Sequence, residues 1–135
     1  MAQDLDFGHG KHYGDYSGVT FYGSPENGIW LDSLPISDAY IGPLFHAILE
    51  RQSIPPKIVS EWNEQTGWTV TGLDKAIPPA AAIELAESLA NINTDQLASF
   101  CNGCSPEECL SCAVRIKKYL EDHVAKTIDL FMEQD

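Results

Sequence analysis

The stretch from Ser105 to Phe131 constrains the fold more than any other part of this chain. Ser105-Pro106-Glu107-Glu108 carries the signals of a helix start. A serine can cap the first turn, a proline stands where no N–H is needed, and acids face the positive end of the helix dipole, with Glu108 placed to close a capping box. Cys109, Cys112 with Ala113, Ile116, Leu120, Val124, Ile128 and Phe131 then recur at helical spacing. The spacing predicts one long helix through Phe131, and an apolar stripe of that length must be buried against other elements.

The elements available to cover it are short. Val19-Thr20-Phe21-Tyr22 and Ile29-Trp30-Leu31 are rich in β-branched and aromatic residues and flank a Gly-Ser-Pro-Glu-Asn-Gly turn, which predicts a hairpin. Trp68-Thr69-Val70-Thr71 alternates in the manner of a third strand. Gly42-Pro43 can open a helix that carries Leu44, Phe45, Ile48 and Leu49 and ends near Ser53. Ile54-Pro55-Pro56 opens a shorter one through Ile58, Val59 and Trp62 to a glycine stop at Gly67. Ile77-Pro78-Pro79 repeats that opening before Ala80 to Asn91, where Ile83, Ala86, Leu89 and Ala90 form a stripe. Thr94 is placed to cap a short helix bearing Leu97, Phe100 and Cys101. The glycine-rich residues 7–18 show no periodicity and read as a loop or mobile arm.

These elements give a helix-rich α+β fold: a small N-terminal antiparallel sheet and a helical C-terminal half ending in a long helix. The 135 residues suit one domain, with an arm over 1–17, mixed strands and helices over 18–77, and helices over 78–135.

Four cysteines, Cys101, Cys104, Cys109 and Cys112, are spaced C-x2-C-x4-C-x2-C, and the chain has no others. With Ser105 as N-cap, Cys104 and Cys109 take the two positions that meet in a hydrophobic staple, so their sulfurs are expected together. Asn102-Gly103 offers the turn out of the preceding helix, and Cys112 lies one turn beyond Cys109. The four can thus converge at the elbow of a helical hairpin as zinc ligands, since paired C-x2-C units commonly supply thiolates to that ion. Nested disulfides, Cys104 to Cys109 and Cys101 to Cys112, use the same geometry. So does a redox dithiol near a helix N-terminus, although a helix rather than a strand precedes it. Small apolar side chains filling a helix junction are the remaining alternative.

Twenty acidic against eight basic side chains give a formal charge of −12, spread along the chain without a separate tail. That balance disfavours direct contact with nucleic acid or anionic membrane and favours a basic protein partner. The first residues lack a basic and apolar leader, and no run approaches the ~20 apolar residues of a membrane span. A cytoplasmic protein is therefore expected, a setting in which thiols stay reduced. In size and charge, though not in any motif, the chain is similar to small acidic bacterial immunity or inhibitor proteins. The first functional expectation is accordingly a non-enzymatic binding protein or adaptor that docks a basic partner, its cysteine elbow structural or zinc-binding. The second is a thiol-based metal or redox protein. Pairing of two copies through the long C-terminal stripe is a third.

Other chemistry-bearing residues are isolated. His9 and His12 lie in the glycine-rich stretch without metal-protease context, His46 falls off the apolar face of its helix, and His123 stands at the edge of the C-terminal stripe. No serine occupies a G-x-S-x-G elbow. The sequence thus assigns no catalytic residue.

Overall fold

A computed structural model describes residues 18–24, 32–68, 75–101 and 104–134. Strands β1 (Gly18–Ser24) and β2 (Asp32–Ser37) are followed by helices α1 (Asp38–Arg51), α2 (Lys57–Glu64), α3 (Pro79–Ala90), α4 (Thr94–Leu97) and α5 (Pro106–Ala125), and by strand β3 (Asp129–Gln134). The α+β expectation holds: helices dominate, and the strands form one small antiparallel sheet in the order β2-β1-β3. Among the described residues, no helix is long and apolar enough to cross a membrane.

The central strand is the first in sequence. Val19 and Phe21 are fully buried, with Val19 opposite Ile36 on one side and Phe21 opposite Met132 on the other. The expected hairpin partner begins later than predicted, because β2 starts at Asp32 and Ile29–Leu31 lie outside the described residues. Pro35 is tolerated in β2 because that strand is an edge, where a ladder donor is not required on the outer side.

The third strand departs from the sequence reading. Trp68 has helical backbone and is buried, and residues 69–71 lie outside the described residues. Among the described residues the third strand of the sheet, beside β1, is β3, formed from the segment predicted to be the last turns of the long helix. α5 ends at Ala125, where Lys126 closes the helix and Thr127 takes a left-handed φ of 57°. Ile128 and Phe131 fit a helical period, but Leu130 and Met132 are buried while Phe131 is only half-buried, which is strand alternation. A β-branched residue at positive φ is a poor stop signal, so the sequence hides this break.

Helix starts also shift. α1 begins at Asp38 under a Ser37 cap, with Pro43 inside the helix rather than at its start. Asn93, not Thr94, caps α4, and it forms a reciprocal box with Gln96. In α3 the buried face is Ala82, Leu85, Ala86 and Leu89, whereas Ile83 is half-buried and Ala90 exposed, because α3 packs along α5 on that rotated stripe. Ile41, Leu44, Phe45, Ile48, Ile58, Leu85, Leu97, Ile116 and Leu120 fill the core between α1, α3 and α5. The cysteine elbow therefore sits where α4, α5 and the first turn of α1 meet.

Candidate metal centre

The start of α5 is built as its sequence requires. Ser105 Oγ accepts from the Glu108 N–H at 3.1 Å, and Glu108 Oε1 accepts from the Ser105 N–H at 3.0 Å. This box fixes the backbone across Cys104 and Cys109 and brings their sulfurs to 2.9 Å, as the staple positions predict. Cys101 closes the turn after α4, its N–H donating to Leu97 O, and lies 3.3 Å from Cys109 sulfur to sulfur. Among the described residues, Cys101, Cys104 and Cys109 form a group whose sulfurs all lie within 4.8 Å of one another. All four cysteines are free thiols. Cys112, fully buried in the core, is not part of that group.

The thiol protons run in one direction. Cys104 donates to the carbonyl of Ala39 at 3.1 Å, and Cys101 donates to Cys109. A thiol has a single proton, so with the Cys104 proton on Ala39 O the Cys109 proton faces Cys104 at 2.9 Å and, more distantly, the same Ala39 carbonyl at 4.0 Å. Pro43 explains why that carbonyl is a good terminus. It stands four residues on inside α1 and has no N–H with which to make the helical bond to Ala39.

Burial sets the electrostatics. It pushes the Cys104 thiol up to about 11 and holds those of Cys109 and Cys112 well above the ordinary range. Tyr40, next to Ala39, is pushed up to about 12 by burial first and then by Glu108 and the neighbouring sulfurs. Burial thus favours the neutral thiol at Cys104, Cys109 and Cys112.

Three sulfurs with sides of 2.9 and 3.3 Å and none beyond 4.8 Å make a bent triangle, not a line. Thiol–disulfide exchange proceeds by attack in line with the leaving sulfur, which this triangle does not offer at Cys109. Tetrahedral zinc at Zn–S ~2.3 Å sets its sulfurs about 3.8 Å apart, somewhat wider than the 2.9 and 3.3 Å found here and inside the 4.8 Å that bounds all three. The donor set therefore fits a thiophilic ion after sub-ångström adjustment.

The other predicted candidates do not join the site. His9 and His12 lie outside the described residues. His46 is exposed as expected, its Nδ1 facing Gly42 O and its ring stacked on Phe100. His123 is more deeply buried than an edge position suggests and meets Asp32 and Tyr119, a cluster that sequence reasoning missed. The i, i+4 spacing of Tyr119 and His123 was its legible half. No protein-family model, curated protein or solved structure matches the chain.

Proposed function

We propose that this chain is a thiol-based metal-binding protein that holds zinc, or an ion of the same soft class, on Cys101, Cys104 and Cys109. The observation that carries the reading is the sulfur triangle, supplied by two helix ends and drawn together by a capping box. Thiolates are the donors such ions select. With Cys112 outside the group, the described residues contribute three sulfurs, and a fourth position falls to a further ligand, the arrangement of sites that exchange ligands rather than of closed structural ones. The test is titration of the reduced protein with cobalt(II) and then zinc. One equivalent per chain with a thiolate-to-cobalt charge-transfer band, displaced by zinc, supports the reading. No band, or uptake unchanged by Cys109→Ala, ends it.

A second reading rests on charge. At −12 the surface favours a basic protein partner, and Glu107 in the first turn of α5 is exposed beside the elbow. Binding of that kind weakens as salt screens it. Immobilised protein that retains no basic protein at low ionic strength rules it out.

A further inference from the structure

The geometry points to Cys104–Cys109 as an oxidation site whose closure empties the metal centre, an inference whose second half rests on the metal reading above. These sulfurs are the closest pair, at 2.9 Å, and a disulfide needs ~2.05 Å. What holds them together is the Ser105–Glu108 box, which does not depend on an ion. Cys101 reaches Cys109 from the other side of the elbow, at 3.3 Å and from the end of a different helix.

Accessibility orders the reaction. Cys104, like Cys101, is half-buried, whereas Cys109 is fully buried and has the Cys104 sulfur against it, so within the closest pair Cys104 is the more exposed partner. With a peroxide as oxidant, the Cys104 sulfur attacks one peroxide oxygen: the S–O bond forms, the O–O bond breaks, and the departing hydroxide becomes water with a proton from the thiol in the metal-free chain or from solvent when the sulfur is a bound thiolate. Cys109 sulfur then attacks Cys104 sulfur: the S–S bond forms, the S–O bond breaks, and the second oxygen leaves as water, its proton again coming from the Cys109 thiol or from solvent. Two sulfurs lose two electrons and the peroxide becomes two waters. The disulfide withdraws two of three sulfur donors, and Cys101 alone does not retain the ion. The Ala39 carbonyl also loses its thiol donor, so closure is felt in the first turn of α1.

The test uses the whole protein loaded with zinc and exposed to graded hydrogen peroxide. Released zinc is read with a chromogenic chelator, and remaining thiols are blocked before reduction and labelled after it. Cleavage after Glu107 or Glu108 separates Cys101 and Cys104 from Cys109 and Cys112, so fragment masses place the cross-link. The expected result is one zinc released per Cys104–Cys109 disulfide, reversal by dithiothreitol, the same cross-link in Cys112→Ser and Cys101→Ser, and none in Cys104→Ser. A cross-link between other sulfurs, over-oxidation without a cross-link, or an oxidised chain that keeps its zinc overturns the inference. If the untreated protein takes up no zinc, the metal reading fails and the release step with it. The cross-link map of the zinc-free protein then decides whether Cys104–Cys109 is the oxidation site.

Discussion

His123, in the last turn of α5, places Nε2 3.0 Å from Oδ1 of Asp32 at the start of β2, across 91 residues of sequence. Oδ2 lies at 3.1 Å, the Tyr119 hydroxyl donates to Oδ1 at 2.6 Å, and His123 Nδ1 faces Tyr119 O at 2.7 Å. Both ring nitrogens face acceptors. Asp32, Tyr119 and His123 thereby fasten the sheet to the last turns of α5.

That fastener depends on a missing side chain. A β-carbon at Gly23 would lie 2.6 Å from His123 Nε2 and 2.9 Å from Asp32 Oδ1, so Gly23→Ala pushes the ring off its carboxylate. We expect Gly23→Ala to cost about 1–3 kcal/mol. Asp32→Asn should cost about 1–2 kcal/mol, the lower range for a charged hydrogen bond because the Asp32 side chain is 43% exposed. Urea unfolding of both variants and their double mutant checks this: the two losses should overlap rather than add, since each removes the same contact.

The capping box is the next point of leverage. Ser105→Ala removes the acceptor for the Glu108 N–H and should cost about 1 kcal/mol. Ser105→Asp, which can cap as well, should restore most of it. Thermal unfolding in the presence of chelator separates this effect from any contribution of metal. An alanine variant as stable as the parent would show that the staple stands without its cap.

Alkaline pH should weaken the metal-free protein. Burial pushes the Cys112 thiol and Tyr119 hydroxyl above their ordinary ranges, the latter with help from the Asp32 hydrogen bond, and pushes Tyr40 up to about 12. Each raised group stays protonated in the folded chain while the unfolded chain ionises. The stabilisation is therefore complete below the ordinary thiol range, about 8.5, and is lost as pH rises toward the folded values. Melting temperatures in reductant and chelator should be flat from pH 7 to about 8.5 and fall above it. In Cys112→Ala the fall should begin at the same pH but be shallower, because burial raises the Cys104 and Cys109 thiols as well. A flat profile through pH 10.5 would contradict the burial of these groups.

How far the sequence could be read depends on whether a local signal decided the outcome. Ser105, Pro106 and Glu108 act within one turn, so the start of α5 and the meeting of Cys104 with Cys109 were legible. The end of α5 was not, because Thr127 breaks the helix without a glycine and Ile128 and Phe131 prolong the helical period by coincidence. Tertiary pairing with β1 decides that segment, through Met132 opposite Phe21 and Leu130 opposite Gly23. Proline misled at Pro43 for a related reason. It marks helix starts on average, but here the cap is Ser37, well upstream of Pro43, and the lost helical bond coincides with a thiol donor from Cys104. Asp32 gave no sign of its partner, since nothing local links it to a helix at the other end of the chain.

The same distinction between local and long-range placement separates the four cysteines. Cys101, Cys104 and Cys109 face one another at the elbow, whereas Cys112, one turn further along α5, continues the stripe of Ala113, Ile116 and Leu120 into the core. Cys112→Ala should therefore keep one zinc per chain at affinity within a few-fold of the parent, while losing about 1 kcal/mol of stability for the small volume removed. Cys101→Ala, Cys104→Ala and Cys109→Ala should each weaken zinc by 10-fold or more, on the order of the loss seen even for outer partners of metal ligands. Competition against a chromogenic chelator, read together with urea unfolding of each apo variant, keeps the two effects apart. If Cys112→Ala lost zinc as completely as Cys109→Ala, the centre would be a four-thiolate site in which the buried sulfur turns from core to metal on loading. The three-sulfur reading and its open fourth position would then fall together.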